Sequence, residues 1–179
     1  STVLRLLGIE SEINQVNHEG SITEIGVYPV GVKWDLINSV MESDDCRKFI
    51  DEYRENFKGK KIVLSADRLD YSQGIIKKLM AIETFLKENP DRRDEVVFII
   101  LTIPTREELY EFEHLTHDVE HAVGRINGRF STINNIPIHF LNKWISFSQL
   151  CSLYTIADAA LVTPLMAGMN LIAKEYLAC

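Results

Sequence analysis

The residues best suited to chemistry in this chain are two arginines and a glycine-led helix start. Arg68 follows the apolar run Lys61-Ile62-Val63-Leu64-Ser65, and Gly74 opens the segment after it. Far downstream, Leu161-Val162-Thr163-Pro164 passes through Gly168 and Met169 into Asn170-Leu171-Ile172-Ala173-Lys174-Glu175. An apolar strand that ends in a Gly-bearing loop before a helix presents that helix's unpaired N–H groups to an anion. Gly168 lets backbone approach a ligand closely, and the N–H groups near Asn170 and Leu171 point outward. Arg106 stands at a third strand end. Arginine forks match phosphate oxygens, and two of them at separate strand ends suit two phosphate groups. Glu175, five residues after Asn170, is placed to accept hydrogen bonds from ribose hydroxyls. Each feature has a plainer reading as well: an exposed ion-pair arginine, a glycine turn, a solvated glutamate favoured by the helix dipole. Their joint placement points to a nucleotide-sugar site.

Other constellations are weaker. His114, His117 and His121 share one helix face, but Asp118 and Glu120 lie beside them and no apolar second shell is evident. Metal-bound histidine needs an ordered outer partner, so this reads as an exposed polar face. Trp34 and Trp144 read as packing residues. The chain has no nucleophile elbow, P-loop or GxGxxG. Cys46, Cys151 and Cys179 are odd in number and widely spaced, the pattern of reduced thiols in a cytosolic protein.

The elements that must position these residues follow from periodicity. Ile25 to Val32 reads as a short strand running into a loop. Trp34 to Phe57 is helical in pattern, with Gly59 as its stop. Lys61 to Ser65 is a buried strand, and a helix after Gly74 carries Ile75, Ile76, Leu79, Met80, Ile82 and Leu86 on its apolar side until Pro90. Val96 to Leu101 lacks any polar residue, as in a strand covered on both faces. Pro104 opens a helix from about Thr105 to Ala122, followed by a polar loop from Gly124 to Asn135. Pro137 to Leu141 is a strand, Phe147 to Ile156 a helix capped by Ser146, Ala159 to Val162 the last strand, and Asn170 onward the last helix. This alternation predicts an α/β fold, a Rossmann-like parallel sheet with helices on both faces. Ligands of such sheets bind beyond the carboxyl ends of the strands.

Composition narrows the partners. Nineteen basic residues face 26 acidic ones, a net charge of −7, which argues against nucleic acid. No apolar run reaches the roughly 20 residues of a membrane helix, and Ser1 to Arg5 is not a signal peptide. The missing initiator Met and the ending at Cys179, inside a helical pattern, lead us to expect a processed or excised chain and a truncated domain.

The segments Asp67-Arg68-Leu69-Asp70-Tyr71-Ser72-Gln73-Gly74, Val123-Gly124-Arg125-Ile126-Asn127-Gly128, Pro137-Ile138-His139-Phe140-Leu141-Asn142 and Gly168-Met169-Asn170-Leu171-Ile172-Ala173-Lys174-Glu175-Tyr176 resemble those of trehalose-6-phosphate synthases, retaining glycosyltransferases of family 20. The resemblance implies a GT-B fold of two Rossmann-like lobes. Residues 1–59 would be the end of the first lobe and the inter-lobe passage, and 60–179 the front part of the C-terminal donor-binding lobe. It implies transfer of glucose from UDP-glucose to glucose 6-phosphate in the cytoplasm, without metal or other cofactor. Arg68 would neutralise the departing diphosphate and Arg106 hold the acceptor phosphate. Gly168, Met169, Asn170 and Leu171 would bind diphosphate and donor sugar, Glu175 the ribose, and Ile145 would lie beside the uracil. Gln73 stands where the family has Lys, and Ala167 where it has Asp. A charge-assisted hydrogen bond contributes roughly 1.5–3 kcal/mol, so each loss is worth about 10- to 100-fold. The same departures fit a non-catalytic regulatory or scaffolding subunit of a trehalose synthase/phosphatase complex, partnered by other pathway subunits or a second copy. A third reading is a transferase using another nucleotide donor, such as a GDP-sugar.

Overall fold

The structure, a computed structural model, describes residues 11–12, 14–104 and 110–179. It divides into two compact units, Ser1–Gly31 and Val32–Cys179. In the first unit, β1 (Ser11–Glu12), β2 (Gln15–His18) and β3 (Ser21–Glu24) form an antiparallel sheet. Glu19 and Gly20 join β2 to β3 with φ of 51° and 81°, the left-handed pair that a two-residue hairpin requires. The strand expected over 25–32 is absent, and residues 25–33 carry no regular structure. Pro29 removes a ladder donor, and Val27 and Tyr28, 93% and 85% exposed, have no sheet partner to cover them.

In the second unit, the helical pattern from Trp34 resolves into two helices, α1 (Trp34–Met41) and α2 (Asp44–Asn56). Ser43 breaks it by accepting the Cys46 N–H and capping α2. Then come β4 (Lys61–Arg68), α3 (Ile75–Glu88), β5 (Val96–Ile103), α4 (Tyr110–Phe130), β6 (Ile138–Asn142), α5 (Phe147–Ile156), β7 (Ala159–Ala160) and α6 (Leu171–Ala178). The four strands pair in parallel in the order β6-β5-β4-β7. Helices cover both faces, as the alternation predicts. Val63, Phe98 and Ile100 face α3 and α4, packing with Leu79, Leu86, Val119 and Ile126. Ile62, Leu64, Val97 and Ile99 face Leu153 and Tyr154 of α5, with Tyr53 of α2 and Ile172 and Tyr176 of α6 at the margin.

Some expectations need correction. The polar loop from Gly124 is helix: α4 runs on to Phe130. Two glycines cost about 1 kcal/mol each relative to Ala, but Val123, Ile126 and Phe130 continue the stripe begun by Leu115 and Val119. Burying each contributes about 1.5–3 kcal/mol, so burial wins. The start expected near Thr105 lies outside the described residues. The last strand is shorter than expected, ending at Ala160. Met80, Trp34 and Trp144 are 58%, 55% and 73% exposed, so none is a core residue of this unit. The helix α5 matches its expected span, with a full capping box between Ser146 and Gln149. Cys46 and Cys151 are buried free thiols. His117 and His121 stack at 6.4 Å on an exposed face, and no group of three or more potential ligands among the described residues is arranged to hold a metal ion. No helix of the described residues is long and apolar enough to cross a membrane.

Candidate functional site

Two strand-end loops build the site. Where β4 ends, Leu69 is buried and its N–H reaches the Ile103 carbonyl at 2.9 Å. The Asp70 carboxylate accepts the Ser72 N–H at 2.7 Å and caps a 3₁₀ turn over Tyr71–Gln73. Gly74 then turns the chain into α3 with φ of 64°. A side chain there would be strained, and its Cβ would lie 2.9 Å from Leu165 Cγ. Leu165 belongs to the second loop, which joins β7 to α6. The Ser72 carbonyl accepts the N–H groups of Leu165 and Met166 at 2.7 and 3.2 Å, clasping the two loops together. Asn170 ends the second loop as the cap of α6, its Oδ1 accepting the Ala173 N–H at 3.0 Å.

Between these loops lies a cleft of about 430 Å³, open to solvent at the carboxyl end of the sheet. It brings together Arg68, Gln73, Ala167, Gly168, Met169, Asn170 and Leu171, with Ser72, Met166 and Ile172 completing the wall. Arg68 is the one formally charged residue of that lining, is exposed, and has no ion-pair partner among the described residues. The N-terminus of α6 adds unpaired N–H groups and the positive end of its dipole. A chain with a net charge of −7 thus concentrates positive potential at this spot, the electrostatics of an anion site.

The departing positions are also at the wall. Gln73 is buried, and its Nε2 donates to the Ser72 hydroxyl at 3.3 Å. Ala167 is exposed and adds only a methyl group. Of three other expected site residues, two are described. Arg106 lies outside the described residues. Ile145 is half-buried, packs against the Leu153–Tyr154 side of the core and does not line the cleft. Glu175 is half-buried on α6 and also does not line it; its Oε2 accepts the Tyr154 hydroxyl at 3.1 Å. Burial, with the Glu175 carboxylate beside it, pushes the Tyr154 phenol well above its ordinary range and keeps it a donor.

Sequence reasoning missed two contributions. Ser72 works through its backbone carbonyl, which leaves no mark on residue type. Between the end of β4 and the first turn of α3, Lys78 and Asp67 form a buried ion pair at 2.5 Å, with Ser65 bonded to both. Its signal was available: Lys78 falls in the apolar stripe between Ile75 and Ile82, where an exposed lysine does not belong.

Comparison with known proteins adds the lineage. A sequence profile of glycosyltransferase family 20 matches residues 1–179. The chain is 41% identical over 179 residues to "Alpha,alpha-trehalose-phosphate synthase [UDP-forming] 1" of Arabidopsis thaliana, covering 100% of this chain and 19% of that protein. It therefore spans about a fifth of that relative. A Burkholderia xenovorans alpha,alpha-trehalose-phosphate synthase (UDP-forming), solved with glucose-6-phosphate, superposes with a TM-score of 0.85 at 32% identity, covering 92% of this chain and 36% of that one. The N-terminal domain of Candida albicans trehalose-6-phosphate phosphatase superposes with a TM-score of 0.86 at 27% identity, covering 99% of this chain and 38% of that one. With the profile matched from end to end and both strand-end signatures meeting at one cleft, the chain belongs to glycosyltransferase family 20.

Proposed function

We propose that this chain is the donor-binding part of a trehalose-6-phosphate synthase, which transfers glucose from UDP-glucose to glucose 6-phosphate in the cytoplasm. The observation that carries this reading is the cleft that joins Arg68 to the N-terminal N–H groups of α6. The donor diphosphate sits between them. As the bond from glucose C1 to the diphosphate oxygen breaks, Arg68 and the helix dipole take up the charge that develops on UDP, in the place a metal would otherwise occupy. The acceptor hydroxyl of glucose 6-phosphate bonds to C1 on the face UDP leaves, and its proton departs with the phosphate. In this reading residues 60–179 are the front of the donor lobe, Glu175 and Ile145, which stand outside the cleft lining, meet the nucleoside beyond the diphosphate, and Arg106 meets the acceptor phosphate. The Arabidopsis thaliana and Burkholderia xenovorans relatives are UDP-forming synthases, which supports the choice of donor.

A second reading is favoured by Gln73 and Ala167: a non-catalytic subunit that keeps a weak nucleotide-sugar site. The likeness to a domain of a phosphatase is compatible with it. A thermal-shift comparison of UDP, GDP and UDP-glucose tests the shared premise, because selective binding stabilises the folded state. Stabilisation by UDP and UDP-glucose but not GDP supports a uridine-nucleotide site; equal shifts with GDP would remove the donor assignment. UDP release by the longer, two-lobed protein in the presence of glucose 6-phosphate separates enzyme from subunit.

A further inference from the structure

We propose that Asp67 and Lys78 are positioning residues whose buried ion pair fixes the roll of β4, so that Arg68 faces the cleft. This rests on the reading of the cleft as a diphosphate site. Neither residue lines the cleft, and their side chains are only 2% and 1% exposed. Lys78 Nζ donates to Asp67 Oδ2 and to Ser65 Oγ, at 2.5 and 2.6 Å, and the Ser65 hydroxyl donates to Asp67 at 2.6 Å. These three groups form a closed triangle on one face of the sheet.

Side chains along a strand alternate between faces, so a one-residue slip exchanges them all. Ser65 and Asp67 share the face of Val63, which packs under α3 and α4. Arg68 has the parity of Ile62 and Leu64, whose face carries α6. The run Ile62-Val63-Leu64 packs apolar side chains against both faces, so hydrophobicity alone does not choose between the two rolls. The buried carboxylate does, because the α3 face offers it the Lys78 ammonium group. Lys78 stands on the first turn of α3, its N–H bonded to the Gly74 carbonyl at 3.0 Å. The pair therefore ties the end of β4 to the start of α3, the two ends of the loop that carries Ser72 and Gln73. A buried ion pair adds little net stability over an apolar replacement, and specifying register is its best-attested use.

A mutant cycle in the full chain tests this, with UDP affinity measured by calorimetry for the unaltered protein, Arg68→Ala, the apolar replacement Asp67→Leu with Lys78→Met, and all three changes together. Arg68→Ala is expected to weaken UDP by about 10- to 100-fold and the apolar pair by about tenfold. The triple variant is expected to bind no more weakly than Arg68→Ala alone, because the pair acts through Arg68. Lys78→Arg, which keeps the pair, should keep the affinity. Losses that simply add, or an unchanged affinity in the apolar pair, overturn the proposal, since a merely structural role gives no such coupling. If the double variant does not fold, Ser65→Ala loosens the same carboxylate and runs the same cycle at smaller amplitude. Failure of the unaltered protein to bind UDP overturns the diphosphate reading and the positioning role with it, and shows before any variant is made.

Discussion

Side-chain chemistry at three positions decides what the cleft can do. Arg68 supplies its charge, Gln73 supplies a neutral donor already engaged with Ser72, and Ala167 supplies no polar group. Introducing Gln73→Lys with Ala167→Asp adds a cation near the diphosphate and an acceptor for a sugar hydroxyl. Each charge-assisted hydrogen bond is worth about 10- to 100-fold, so UDP-glucose affinity should rise at least tenfold, with a smaller gain for UDP. Calorimetry with both ligands checks this, and equal affinities before and after the change would sink it. Residue identity alone made this reading legible, because the loops around Arg68 and Gly168 carry their chemistry in consecutive letters. Glu175 was less legible: its place on the helix could be counted, but its hydrogen bond to Tyr154 depends on how α5 packs against α6.

At the scale of elements, the cleft depends on the clasp between its two loops. Gly74→Ala places a left-handed residue at a cost of about 1–2 kcal/mol, and it presses a methyl against Leu165. Urea unfolding should show that loss, and shortening Leu165 to Ala in the same variant should return only the contact portion. A separate prediction concerns β6. Burial lowers the His139 pKa, offset in part by a hydrogen bond with the Ile136 backbone, while its ring meets the Phe57 ring edge-on at 5.0 Å. The unfolded chain therefore takes up a proton near pH 6.5 that the folded chain resists. The stability this contributes is present above about pH 6.5 and falls as the pH drops from there toward the lowered folded value. Unfolding midpoints from about pH 7.5 down to about 5 should decline less steeply in His139→Leu. The existence of β4 and β5 was readable because runs buried on both faces need no partner information. The end of α4 was not, since Gly124 and Gly128 look like punctuation until Ile126 and Phe130 are seen buried beside them.

For the whole molecule, the cleft lies entirely within Val32–Cys179. A chain begun at Val32 should keep the thermal stabilisation by UDP seen for residues 1–179, and loss of that shift would place part of the site in the first 31 residues. Because arginine and a helix N-terminus neutralise the diphosphate in the proposed mechanism, a chelator should leave UDP affinity unchanged. A chelator-induced loss restored by a divalent cation would reverse that assignment. The helices at Trp34–Met41 and Asp44–Asn56 pack with the parallel sheet's own unit. Sequence periodicity announced helices there but carried no information on which body they join.

By itself the sequence determined the lineage, the α/β alternation and the two loop signatures, because each is written in local composition and short-range period. Tertiary structure alone decided that Ser72 clasps the second loop, that Ile145 and Glu175 stand back from the cleft wall, and that Lys78 is buried against Asp67. The physical reason is range. Helix caps and strand patterns are fixed by neighbours a few residues apart, whereas the cleft joins residues about a hundred positions apart that meet only once β4 and β7 pair side by side.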